Sequence, residues 1–341
     1  MEAPEQLIID DLVRRSLRPS AATWLKHLAF LLLTFVTCTI AGILYPFGRF
    51  ATLPDEADPA NFTEVVNFIL SLPARYADLI ISAAAKLVTD TSYLQDGLSF
   101  SLSLLFILIS HEMGHYIACR LYKVDATLPF FIPTPPMLGP AGTFGAFIKI
   151  RSPMPSRRAT FDIGVSGPIA GFIALIPVAI IGVLKMHPVP AEQIAGAGGI
   201  YFSDPLMIRV LAFLTGTDLT ISAGNPFYYA AWVGLLVTAL NLIPSGQLDG
   251  GHAIFAVFGP TVHRWTGRIA FVVMAVLSIL GWFYFNSPSG FLIAILLGIM
   301  MKVHHPVPWD QSPLDAKRKA IAFLTLIIFV LCFLPFPIKI L

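Results

Sequence analysis

The stretch LSFSLSLLFILISHEMGHYIAC, Leu98 to Cys119, combines an apolar run with a cluster of ionisable residues. From Phe100 to Ile109 only Ser101 and Ser103 break the apolar sequence, and a run of this length reads as a membrane span, which needs about 20 such residues. Near its end stands His111-Glu112-Met113-Gly114-His115. Residues four apart share one face of a helix, so both imidazoles can reach one metal ion. Glu112 lies beside them, placed to take a proton from a water held there. Ionisable groups at membrane depth are costly, so their presence points to function.

The rest of the composition agrees. The chain of 341 residues is 56% hydrophobic and 12% charged, about half the charged share of an average soluble domain. Its net charge of +2 gives no reason to expect a nucleic-acid partner. Cys38, Cys119 and Cys332 are odd in number and far apart, and lie in or beside apolar segments, so they read as small buried residues without a disulfide framework or a Cys-based metal site.

Outward from the motif, the fold class expected is an all-α polytopic membrane protein with about six to seven transmembrane helices. The division is a cytoplasmic tail (1–22), a first span with an extracytoplasmic segment (23–96), a catalytic membrane core (97–252) and C-terminal transmembrane helices (253–341). The first apolar run comes too late and is too long for a cleavable signal, so it is expected to be an uncleaved anchor. Spans are expected at Leu28–Phe47, Leu98–Cys119, Ile163–Leu184, Pro226–Ile243, Ile269–Phe285 and Ala320–Ile338, with Phe291–Met301 as a partial one. Phe68–Val88, interrupted by Pro73, Arg75, Asp78 and Lys86, is expected to be an interfacial helix. Thr143–Ile150 has weak strand character with a glycine break at Gly145; such backbone is tolerable at membrane depth only against protein or a wet cavity. The glycines that open the third span, Gly164, Gly167 and Gly171, read as a tight packing seam. Lys185 to Gly224 is a connection with a Gly-Ala-rich patch (Ala195–Gly199) and a short apolar piece near Leu206–Leu214.

Basic residues orient the chain. With a cytoplasmic N-terminus and alternating spans, most of the 22 Lys and Arg residues fall on one side, from Arg14, Arg15 and Arg18 through Arg120, Lys149 and Arg151 to Lys317, Arg318 and Lys319. That places His111–His115 towards the cytoplasmic end of its span. Catalytic zinc sites usually take three protein ligands and keep one open position. Asp249 is the best third candidate, because it follows a span, precedes Gly250-Gly251, which lets backbone approach closely, and lies on the same side. His252 could be a fourth ligand or a helix-surface group. His304 and His305 read as interfacial, as do His27, His187 and His263 at span edges. Asn241 could hydrogen-bond a substrate carbonyl or developing oxyanion, or make an interhelical bond.

Together these elements resemble the site-2-protease family of intramembrane zinc metalloproteases. The match rests on His111–His115, on Asn241-x-x-Pro244 followed by Leu248-Asp249-Gly250, and on Ser166-Gly167-Pro168-Ile169-Ala170-Gly171, in that family's order and spacing over about Leu98–His252. The resemblance implies one Zn2+ per chain held by His111, His115 and Asp249, with Glu112 as general base and Asn241 contacting substrate or transition state; His252 is left out of the ligand set. It further implies single-span membrane proteins as substrates, cut within or next to their helices, and a β segment at Thr143–Ile150 that pairs with extended substrate. The chain has room for neither the PDZ nor the CBS domain that many members carry, and looks more like the compact branch of bacteria and plastids; a bacterial cytoplasmic membrane is expected. The rival readings are a metal transporter, a silent scaffold, and a zinc hydrolase of lipid or prenylated peptide. The last would more usually use a Glu as third ligand, and Glu192, the only Glu after the second span, lies on the wrong side.

Overall fold

The computed structural model describes residues 19–50, 61–189, 199–303 and 305–340. Arg14, Arg15, Arg18, Glu192, His304 and residues 195–198, all read from the sequence above, lie outside them.

Helix α1, Ala21–Ile43, is capped by Ser20, whose hydroxyl accepts the Thr23 amide, and it ends before Tyr45-Pro46, short of the expected Phe47 because the residue before a proline is driven extended. Helix α2, Phe62–Thr89, starts at the cap Asn61 and passes through Pro73. It exceeds the expected interfacial segment and is long and apolar enough to cross a membrane, because its few charges are spread thinly over a long element. Only Leu79 and Ala83 of it are buried. After the single residue Asp90, helix α3, Thr91–Leu121, carries the His-Glu pair.

The Pro- and Gly-rich segment that follows holds a two-stranded antiparallel sheet. Strand β1, Phe130–Pro133, pairs with β2, Thr143–Phe147, in the register Phe130 opposite Phe147 and Phe131 opposite Ala146. The sequence marks β2 but not its partner. Helix α4, Arg157–Leu184, starts two turns earlier than the expected span because Ser156 caps it, and it is the most buried of the long apolar helices. Two short strands follow, β3 at His187–Pro188 and β4 at Ile200–Phe202, then helix α5, Leu206–Thr215, and strand β5, Ser222–Ala223, which pairs with β3.

Helix α6, Pro226–Leu242, is separated by a tight turn from α7, Asp249–Phe258. Helices α8, Pro260–Phe285, and α9, Ser289–Met300, form a hairpin. Proline at the first position of α8 starts it well before the expected Ile269. Helix α10, Ala316–Cys332, stops short of the expected Ile338, since Pro335 and Pro337 cannot continue it; the chain instead forms β6, Ile338–Ile340, against β4.

Among the described residues five helices are long and apolar enough to cross a membrane, namely α1, α2, α3, α4 and α8, and α5, α6 and α9 are shorter apolar helices. The outward faces support the same reading. On α8, Ile269, Val272, Val276, Ile279 and Phe283 are exposed, and on α10 Phe323, Leu326 and Val330 are. A continuous apolar exterior on helices whose backbone bonds are internally satisfied is stable in lipid and not in water. The protein is a polytopic helical membrane protein, as expected. Its core is α3, α4 and α6 packed together, with Phe100, Leu104, Leu175, Leu235 and Trp232 fully buried. The three cysteines are buried and free.

Candidate active site

The helical spacing of His111 and His115 puts both rings on the face of α3 that meets α4. Two glycines of α4, Gly167 and Gly171, make room for them, and a third, Gly164, makes room for His252. A Cβ at Gly167 would overlap the His115 ring, one at Gly171 would lie 3.1 Å from His111 Cβ, and one at Gly164 would lie 2.7 Å from His252 Cβ. On α3, Gly114 answers by lying against the Ser166 carbonyl. The expected packing seam is therefore a seam built around the histidines.

Asp249 arrives from the other direction. The chain leaves α6 at Leu242 and turns through Pro244–Leu248, with Gly246 at a φ of 55°, so that Asp249 opens α7. Gly250 and Gly251 lie against the carbonyls of Leu242, Ser245 and Gly246, where no side chain fits. This close approach swings the Asp249 carboxylate onto the two imidazoles.

The three donors form a nearly equilateral triangle. His111 Nε2 is 3.1 Å from His115 Nε2 and 3.2 Å from Asp249 Oδ2, and His115 Nε2 is 3.3 Å from the same oxygen. Bonds of about 2.0–2.1 Å to a tetrahedral zinc ion imply ligand separations of roughly 3.3–3.4 Å. Donor chemistry agrees. His115 Nδ1 is 2.7 Å from the Ile163 carbonyl, which can only accept, so Nδ1 carries the proton and Nε2 presents a lone pair. That lone pair faces an imidazole and a carboxylate, an arrangement that a cation stabilises. Among the described residues this is the one group of three His, Cys, Asp or Glu side chains close enough to share an ion.

Glu112 is buried beside the triangle and accepts a hydrogen bond from the Ile148 amide, just beyond β2. The Asn241 amide nitrogen lies 3.3 Å from His111 Nε2. All five residues line one cavity of about 710 Å³, walled on one side by Ala146–Met154 and reached also by Pro306. This is the size of a pocket for a small ligand or short peptide segment.

Other histidines separate from the cluster. His252 Nδ1 is 2.7 Å from His305 Nε2, so its partner is another histidine. His305 stacks on Phe255 at 4.0 Å, with its Nδ1 2.8 Å from the Pro306 carbonyl. The sequence marks His305 as interfacial; its partner lies 53 residues away, and no local pattern announces it. His27 bonds the Pro129 carbonyl, and His263 the Gly246 carbonyl. Sequence reading also missed the Ile163 carbonyl and the Ile148 amide, because a backbone group carries no residue-type signal.

The fold and the cluster define a membrane-embedded protein of the metallopeptidase type. The chain belongs to peptidase family M50, whose family model matches residues 99–281, and this is the site-2-protease family that the motifs resemble. It is 29% identical over 248 residues to the probable zinc metalloprotease EGY1, chloroplastic, of Arabidopsis thaliana, covering 71% of this chain and 44% of that protein. The probable zinc metalloprotease EGY2, chloroplastic, of the same plant is 28% identical, over 79% of this chain and 46% of its own length. An EGY2 of Oryza sativa subsp. indica is 26% identical, over 84% and 51%. The chain thus spans about half the length of the curated relatives it matches. No solved structure matches the chain. These relatives are named as chloroplastic and lend no support to the expected bacterial cytoplasmic membrane.

Proposed function

We propose that the chain is an intramembrane zinc metalloprotease that hydrolyses peptide bonds within or next to transmembrane helices of single-span membrane proteins, in regulated intramembrane proteolysis. The observation that carries this reading is the donor triangle of His111, His115 and Asp249, with edges of 3.1–3.3 Å, sharing one cavity with Glu112 between apolar helices. One zinc ion per chain would be held by these three side chains. When bound, zinc polarises a carbonyl and makes a water easier to deprotonate.

The remaining work falls to the chain. Glu112 takes the proton of the attacking water and returns it to the leaving amine. The Ile148 amide, which donates to the Glu112 carboxylate, holds it in place. Asn241 donates to the carbonyl oxygen as charge develops on it. A helical substrate hides its carbonyls in its own hydrogen bonds, so it must unwind before it is cut. The unwound segment lies along Ala146–Ile150, which wall the cavity. Lys149 and Arg151 stand at this wall. The positive-inside rule supports a cavity that opens to the cytoplasmic side.

The test compares the termini of membrane proteins by mass spectrometry in cells making the wild type or Glu112→Gln. That variant keeps the ligands and removes the base, so cuts inside transmembrane segments should appear with the wild type alone. Identical profiles from two folded, zinc-loaded proteins would sink the protease reading in favour of a scaffold or transporter.

A further inference from the structure

His115 is oriented by a backbone carbonyl, and that carbonyl sits next to a charged clamp. The Ile163 oxygen that accepts from His115 Nδ1 also accepts from the Ser166 hydroxyl at 2.9 Å. The preceding residue, Asp162, is gripped by Arg318 of α10. Nε lies 2.9 Å from Oδ1 and Nη2 lies 2.6 Å from Oδ2, the fork-to-fork geometry in which guanidinium and carboxylate bind most directionally. Tyr122, which ends α3, donates its hydroxyl to Asp162 and stands 3.2 Å from Arg318 Nη2. Arg318 is itself fixed, since its amide and guanidinium both bond Asp315, the cap of α10. Three helices therefore meet at one point: α3, which supplies both histidines; α4, which orients one of them; and α10, which touches no ligand.

The start of α4 needs such a fastening. Pro168 has no amide proton to give the Gly164 carbonyl, and its ring presses on that carbonyl, so the turns before it are coupled weakly to the turns after it. Asp162 and Ile163 lie in those first turns. A small rotation there would turn the Ile163 oxygen away from His115 Nδ1, and with it the direction of the Nε2 lone pair.

We propose that Arg318, through Asp162 and Tyr122, is a positioning residue for the metal site. It locks the first turns of α4 so that Ile163 holds His115 in the ligating tautomer and orientation. Arg318 touches neither metal nor substrate. The proposal rests on the zinc-site reading above, and its test reads metal binding without any cleavage assay.

The test uses the full chain purified in detergent. Zinc affinity is measured by competition with a chromogenic chelator, and site geometry by the visible bands of the cobalt-substituted protein. Removing partners that orient a metal-bound histidine typically weakens binding about 10–100-fold. Arg318→Gln and Asp162→Asn should each lose zinc affinity in that range and shift the cobalt bands, and the double variant should be no worse than the poorer single one, because they break one unit. Arg318→Lys should recover only part of the loss, since an ammonium cannot grip a carboxylate with two parallel bonds. Tyr122→Phe removes one hydroxyl, folds if Arg318→Gln does not, and should move both readouts the same way by less. Folded variants with lowered melting temperature but wild-type zinc affinity and cobalt spectrum would overturn the positioning role and leave a mere structural clamp. A wild type that binds no zinc would overturn the zinc-site reading itself, and the clamp's role with it.

Discussion

Gly167 is the residue whose replacement reads most directly on the proposed site. A methyl group there overlaps the His115 ring, and the ring cannot retreat because Ile163 holds one nitrogen while His111 and Asp249 face the other. Gly167→Ala should cost about 1–3 kcal/mol of stability, the usual penalty for forcing extra volume into a packed site. It should also weaken zinc binding at least tenfold. Chelator competition and thermal unfolding on one sample separate the two effects, and a variant with wild-type zinc affinity would show that the ring has more freedom than these contacts allow. Glu112 differs in kind, because it can be neutralised at almost constant volume. Glu112→Gln should lose about 10²–10⁴-fold in cleavage rate while retaining zinc, the span expected when a general base is removed.

At the scale of elements, the strand β2 and the loop after α9 both reach the cavity, through Ala146 and Phe147 and through Pro306. Gly145 has a φ of 91°, a conformation that a β-branched residue resists at about 1–3 kcal/mol, and its missing Cβ would meet nothing within 4 Å. Gly145→Val therefore strains the backbone of the strand without a side-chain clash. Zinc binding should be unchanged and cleavage should fall; unchanged cleavage would argue against substrate lying along this segment. In the loop after α9, His305 docks on His252 and Phe255. Burial and the neighbouring His252 pull the His305 imidazole down to about 3, so it is neutral when folded at physiological pH. Its unfolded value lies near 6.5, so the unfolded chain binds the extra proton first as pH falls. Stability contributed by this docking should be complete above about pH 7 and decline between roughly 6.5 and 3. Thermal melts of wild type and His305→Gln at pH 7.5 and 5.5 check this, with a smaller pH-dependent drop expected in the variant.

For the whole molecule, the bilayer is the missing half of the packing. Apolar side chains of α8 and α10 face outward, and of α2 only Leu79 and Ala83 are buried. The three native cysteines are buried, so an introduced cysteine can be read alone. A cysteine at Lys149, on the cavity wall, should react with an impermeant maleimide applied from the cytoplasmic side and be shielded from the other side. The reverse pattern would invert the proposed orientation. Arginines at the helix ends add ties that a hydropathy profile cannot show. Arg157 donates to the Ala256 carbonyl at 2.7 and 3.0 Å, joining the start of α4 to the end of the helix that Asp249 opens. The cation also sits favourably at that helix C-terminus.

Much of this was readable along the chain. His111 and His115 declare themselves because a helix repeats every 3.6 residues, and the apolar run before them declares its surroundings because a helix apolar on every face must be buried in a protein core or in lipid. Asp249 could be named as a partner since few ionisable residues lie beside spans and the Gly-Gly pair after it signals close approach. The strand at Thr143–Phe147 was visible, yet its partner Phe130–Pro133 was hidden in a proline-rich run, as strand pairing depends on what stands opposite. Helix starts at Arg157 and Pro260 were missed because caps and prolines, not hydropathy, set them. What the tertiary structure alone decided is distance. The 3.1–3.3 Å triangle, the Ile163 carbonyl behind His115, the His252–His305 pair and the grip of Arg318 on Asp162 join residues up to 156 positions apart. Local chemistry determines which residues can bind a metal or carry a charge; only packing in three dimensions determines which of them meet.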